Sequence, residues 1–136
     1  MFINQHMIQK SEIGKLGENL ACEYLKDKGY WIIERNFRKP WGELDIIAKS
    51  KDGTLVFVEV KTMRQLNNPA IAGLMPEDQL TSSKLKKLRR TASLYAGHNQ
   101  ELIKDKRGWR IDLIAINLED LTNSIKDCEV NHYKNL

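Results

Sequence analysis

The stretch GELDIIAKSKDGTLVFVEVK, Gly42 to Lys61, contains two strand-like runs joined by Ser50-Lys51-Asp52-Gly53, and its register decides the fold. If Lys51, Asp52 and Gly53 form a three-residue loop, with Gly53 in the left-handed conformation that closes such loops, Ser50 pairs with Thr54. Leu44 then meets Val60, Ile46 meets Val58 and Ala48 meets Val56, so one face is wholly apolar and suited to a core. The other face sets Asp45 opposite Glu59, Glu43 opposite Lys61 and Ile47 opposite Phe57. A two-residue Asp52-Gly53 loop would set Ile46 against Glu59 and mix the faces, which favours the three-residue register.

In that register the β-carbons of Asp45 and Glu59 lie roughly 4.5 to 5.5 Å apart, a like-charge pair that destabilises a sheet unless something compensates. A divalent cation would do so. Two hard oxygen ligands, completed by waters and substrate phosphate oxygens, are the usual protein share of a Mg²⁺ site, and Mn²⁺ accepts the same donors. Lys61 projects from the same face, where it can orient a nucleophilic water or offset charge on a scissile phosphate. The bland alternative is a one-sided strand whose exposed Glu59 and Lys61 merely balance each other.

Working outward, Ile13, Leu16, Leu20, Ala21, Tyr24 and Leu25 recur at helical spacing and predict an amphipathic helix over 11–28, with Ser11 as N-cap and Gly29 as its end. Trp31 to Phe37 reads as a strand, followed by a turn at Lys39-Pro40 and the hairpin strands Gly42 to Lys49 and Thr54 to Thr62. Met63 to Leu80 reads as an irregular loop. Leu85, Leu88, Ala92 and Tyr95 predict a second helix, Thr81 to Ala96, with Gly97 at the C-terminal left-handed position. Trp109 to Leu118 is the near-continuous apolar run of a strand covered on both faces and is expected centrally in the sheet. A weakly signalled last strand runs from Cys128 to Tyr133. The order is α-β-β-β-α-β, with one further β, in a single domain spanning 1–136 with its core at 11–118.

Composition narrows the function classes. The chain of 136 residues is 41% hydrophobic and 29% charged, and no apolar run approaches a bilayer span, so a globular protein with no membrane association is expected. Met1 to Lys10 lacks an apolar export signal, from which a cytoplasmic location follows. Cys22 and Cys128 form no CxxC, and His6, His98 and His132 show no ligand spacing, so both thiols are expected reduced and buried and zinc is not indicated. The formal charge is only +4, yet Thr81 to Arg110 holds nine Lys or Arg against two acids, which suggests a polyanionic partner as readily as a solvated helix face. Gln79, Lys84 and Lys87, around the start of the basic helix, are candidates to reach substrate phosphates. Trp41 is placed to stack on a base, or simply to pack at a strand edge, and is not counted in the site. Ile13-Gly14-Lys15-Leu16-Gly17 matches a GXXG nucleic-acid loop, but its glycines are better explained by close packing of a helix on the sheet.

Asp45, thirteen intervening residues and Glu59-Val60-Lys61 resemble the PD-(D/E)XK nuclease signature, with Leu44-Asp45 in place of Pro-Asp. GKLGENLACEYLKDKGYWIIERNFR, WGELDIIAK, LVFVEVKTMR, KLKKLRRTASLYA and WRIDLIAI are together similar to the YraN-like family of uncharacterised bacterial proteins, over Gly14 to Ile116. That resemblance implies a restriction-endonuclease-like α/β fold, a mixed sheet flanked by helices, and kinship with archaeal Holliday-junction resolvases. It also implies a helix glutamate, Glu18, alongside Asp45, Glu59 and Lys61 as catalytic residues. The expectation is a Mg²⁺- or Mn²⁺-dependent endonuclease acting on DNA, branched DNA by the resemblance, with Asp45 and Glu59 as metal ligands and a homodimer compatible with cutting two strands. The rival is a non-catalytic nucleic-acid-binding accessory protein of the same fold. Metal dependence separates the two.

Overall fold

The computed structural model describes residues 10–64, 80–118 and 128–136. Helix α1 (Lys10–Asp27) leads into β1 (Trp31–Lys39), β2 (Gly42–Lys49) and β3 (Leu55–Arg64), and α2 (Ser82–His98) and a short 3₁₀ turn precede β4 (Trp109–Leu118) and β5 (Glu129–Tyr133). The five strands lie in sequence order. All neighbouring pairs are antiparallel except β3 and β4, which run parallel because α2 crosses between them. This is the expected α-β-β-β-α-β core of a mixed sheet between helices. β3 occupies the middle, and β4, expected centrally, is interior by virtue of β5.

The sheet is buried on both faces. On one, Leu20, Ala21 and Leu25 of α1 pack on Ile46, Ala48, Val56, Val58, Ile114 and Ile116. On the other, Ala92, Tyr95 and Ala96 of α2 cover Phe37, Leu44, Ile47, Leu55, Phe57 and Ile111. Each large side chain fully buried in this way contributes about 1.5–3 kcal/mol of transfer free energy.

The hairpin has the three-residue register: Ile46 pairs with Val58, Ile47 with Phe57, Ala48 with Val56 and Lys49 with Leu55. The Gly53 amide donates to Ser50 O, and Gly53 takes φ +91°. The pairing stops at Ile46 and Val58, and there the expected faces fail. Leu44 joins Ile47 under α2 instead of Ile46 under α1, so the alternation breaks between Leu44 and Ile46. In β1 the matching break lies at Asn36, φ +52°, between the pairs Arg35–Ile46 and Phe37–Leu44. Glu43, expected opposite Lys61, instead pairs with Arg38, at 3.0 Å.

Two helix boundaries also differ. α1 already includes Lys10, so Ser11, expected to precede the helix as its cap, lies inside it. Its C-terminus is as expected: Gly29, φ +86°, ends the helix, with the Tyr30 amide donating to Leu25 O and that of Gly29 to Lys26 O. α2 is capped by Thr81, which accepts from the Lys84 amide, but runs through Gly97 to His98. The side chains of Asn99 and His98 bond Tyr95 O and Leu94 O, satisfying the carbonyls a glycine cap would have served. Cys22 is buried as expected, whereas Cys128 is only half-buried.

Candidate active site

Where β2 and β3 stop pairing, their backbones part and leave Val60 N–H without a strand partner. Asp45 supplies one: its Oδ2 accepts that hydrogen bond at 2.9 Å. The same splay brings the Asp45 carboxyl within hydrogen-bonding reach of Glu59. Lys61, two residues on and on the same face, places Nζ 3.5 Å from Glu59 Oε1.

Two glycines set the helices around this point. A Cβ on Gly17 would lie 1.7 Å from Thr62 Oγ1, so α1 sits directly on β3 and carries Glu18 to the end of the hairpin. A Cβ on Gly42 would lie 2.1 Å from Thr91 Oγ1, so α2 approaches the start of β2 equally closely.

The electrostatics follow from this crowding. Burial and the neighbouring Asp45 charge push the Glu59 carboxyl up to about 7 against the pull of Lys61. Burial also raises Asp45, outweighing the Val60 hydrogen bond, Glu59 and Lys61. Glu18 is raised by burial and then by Asp45, and it is steadied by the side chain of Asn36 and the charges of Arg35 and Arg38. The break at Asn36 therefore serves the site: its left-handed backbone, which asparagine tolerates better than most residues, turns its amide toward Glu18.

A cavity of about 490 Å³ opens over the pair, lined by Asp45, Glu59 and Lys61 on the sheet, Trp41 and Glu43 at one rim, and Lys84, Lys87 and Arg90 of α2 opposite. Asp45, Glu59, Lys61, Lys84 and Lys87, all named from the sequence, thus share one groove. Glu18 stands behind Asp45 and is not part of the lining. Gln79 lies outside the described residues, as do residues 65–79 of the expected 63–80 loop, whose Met63 and Arg64 belong instead to β3. Sequence reasoning missed Arg90, which could have been found three residues beyond Lys87 on the same helical face, and left out Trp41.

The donor set suits a hard divalent cation. Two carboxyls share a space that favours a proton on Glu59 up to about pH 7, and a cation would take the place of that proton. No group of three or more Asp, Glu, His or Cys placed to hold a metal occurs among the described residues, so remaining positions would fall to water and substrate oxygens. No described helix is long and apolar enough to cross a membrane.

The sequence model of the uncharacterised protein family UPF0102 matches residues 17–116. A UPF0102 protein of Corynebacterium efficiens is 37% identical over 116 residues, 84% of each chain. One from Clostridium botulinum (strain Loch Maree) is 41% identical, covering 83% of this chain and 85% of its own, and one from Syntrophomonas wolfei is 38% identical, covering 80% and 87%. Among solved structures, Pyrococcus furiosus SfsA in complex with Ca²⁺ aligns with a TM-score of 0.37 and 18% identity, over 94% of this chain but only 64% of that one. A likeness so distant carries no argument about the site.

Proposed function

The chain belongs to the uncharacterised protein family UPF0102, and from the geometry of its groove we propose that it is a divalent-metal-dependent endonuclease that hydrolyses DNA phosphodiester bonds. One observation carries this reading: a half-buried Asp45–Glu59 pair, with Lys61 3.5 Å from Glu59, faces Lys84, Lys87 and Arg90 across a single groove. Acidic groups that bind a cation and basic groups that bind a polyanion are what phosphodiester hydrolysis needs on facing walls.

Asp45 and Glu59 would hold Mg²⁺ or Mn²⁺, which when bound polarises the phosphate and acidifies a water. Lys84, Lys87 and Arg90 hold the backbone phosphates on either side of the reacting one. The Lys61 ammonium, kept in place by Glu59, positions the attacking water and offsets the charge that builds on the phosphorus oxygens as the new P–O bond forms and the bond to the sugar oxygen breaks. The Val60 amide holds Asp45 in its orientation, and Glu18 adds negative charge behind it.

The test is cleavage of end-labelled linear, forked and four-way-junction DNA in Mg²⁺ or Mn²⁺, by the wild type and by Asp45→Asn and Lys61→Met. The reading expects metal-dependent cleavage by the wild type and a drop of at least about 10²–10³-fold in each variant, the usual scale for removing one transition-state contact. Binding to all three DNAs without cleavage under any metal would favour a non-catalytic binding protein.

A further inference from the structure

The indole of Trp41 stands at the rim of the groove and belongs to two cavities at once. It is 41% exposed, although it sits in the two-residue turn between β1 and β2, where a small polar residue would suffice. On one side it borders the groove with Glu59, Lys61 and Lys84. On the other it walls a second cavity of about 320 Å³ with Phe37, Lys39, Tyr95, His98 and Asn99. Phe37 packs against the indole at a ring separation of 5.6 Å and an interplanar angle of 61°, and Tyr95 braces Phe37 in turn at 5.2 Å and 90°. The ring is therefore fixed by aromatic contacts from the core while much of its surface stays open at the junction of the two cavities.

We propose that Trp41 is a stacking platform for an unpaired base beside the phosphate being hydrolysed, the second cavity receiving that base. The substrate class is accordingly DNA with a splayed or single-stranded nucleotide at the cleavage position, as at a fork or overhang, and not continuous duplex. This rests on the nuclease reading of the groove and names the substrate that the same site prefers. The chemistry suits it. Phosphates draw to Lys84 and Lys87 on the far wall, an aromatic face accepts any base, and the His98 and Asn99 side chains lie around the cavity beyond. A base in a continuous duplex is already stacked on both sides and would have to leave the helix to reach the indole.

Binding is measured without cleavage, in Ca²⁺ and in an Asp45→Asn background, using a forked DNA with 2-aminopurine as the first unpaired base and a blunt duplex of the same length. Trp41→Leu keeps apolar bulk against Phe37 without a π face, and Trp41→Phe keeps a smaller one; thermal melting verifies that both fold. The proposal expects quenching of 2-aminopurine on binding and at least about tenfold tighter binding of the fork than of the duplex. Trp41→Leu should erase that preference while duplex affinity changes less than about twofold, and Trp41→Phe should keep most of it. Equal affinity for fork and duplex, or a fork preference undiminished in Trp41→Leu, would overturn the proposal. The nuclease reading fails separately, by absence of cleavage in the wild type, because this preference is read from binding alone.

Discussion

Asp45 and Glu59 are close enough to share a proton, and that has consequences for pH. Folded Glu59 keeps its proton up to about pH 7, whereas in the unfolded chain it titrates near the ordinary value of 4.5. The folded state therefore binds more protons between those limits, and the stability this group contributes is present at pH 4.5 and below and lost as pH rises through about 7. Thermal melts of metal-free protein should show that loss between pH 5 and 8, and Mn²⁺ should raise the melting temperature more at pH 8 than at pH 6, since binding displaces the proton. Glu59→Gln removes the titration while keeping a hydrogen-bonding partner for Asp45. It should raise metal-free stability at pH 8 by roughly 1 kcal/mol, relief of the kind expected for a partly screened like-charge pair, and abolish the Mn²⁺ effect. A Glu59→Gln protein that melts lower at pH 8 and still gains from Mn²⁺ would contradict this. At this scale much was legible: the hairpin reading brought Asp45, Glu59 and Lys61 together, although the strand pairing it relied on stops one pair short of Asp45 and Glu59 and their side chains meet across the splay. Glu18 entered only through the family resemblance, because its place depends on how α1 docks, and nothing local to the helix states that Gly17 must lie on Thr62.

The elements are held at fixed separations by residues that lack side chains. Gly17→Ala would drive a methyl into the stiff, β-branched Thr62, lifting α1 and moving Glu18 from Asp45. Urea unfolding should show a loss of about 1–3 kcal/mol, the range for overpacking, partly recovered when Thr62→Ala is added. Gly53→Ala strains the φ +91° loop and should cost roughly 1 kcal/mol without disturbing the groove. Strand identity and both hairpin strands were readable because their apolar residues alternate and their turns carry Gly and Pro. The break between Leu44 and Ile46 was not. An alternating pattern cannot announce where it lapses, and the cause is tertiary: β3 leaves β2 there and Asn36 of β1 turns left-handed opposite. Nor was the run of α2 through Gly97 readable, since its last carbonyls are served by His98 and Asn99 side chains.

Across the molecule, the edge strand β5 is tied to the sheet by buried polar bonds. Asp112, fully buried on β4, accepts from Arg110 at 3.0 Å, from His132 Nε2 at 2.8 Å and from the Asn135 amide at 3.0 Å, while His132 Nδ1 meets Tyr24 Oη of α1 at 3.2 Å. Burial alone would raise the Asp112 carboxyl, but these hydrogen bonds together hold it below the ordinary value. Its contribution is therefore present above about pH 4 and lost only as pH falls further, a window distinct from that of Glu59. Asp112→Ala would strip half-buried Arg110 of its carboxylate, leaving it, among the described residues, the Tyr30 hydroxyl alone, and should cost about 3–5 kcal/mol in chemical denaturation. The last strand was only weakly signalled because its anchoring lies in residues 20 or more positions away, and His132 read as incidental. The charge asymmetry, in contrast, was plain in the sequence, and its partner should be a polyanion: Lys84→Ala, Lys87→Ala and Arg90→Ala combined should flatten the salt dependence of DNA binding by about 2 to 3 in log–log slope. The most direct test of the central claim is calorimetric titration of Mn²⁺ into the wild type and into Asp45→Asn at pH 8. One Mn²⁺ per chain is expected in the wild type and none in the variant; no binding by the wild type, with DNA present or absent, or equal binding by both, would rule out an Asp45–Glu59 metal site.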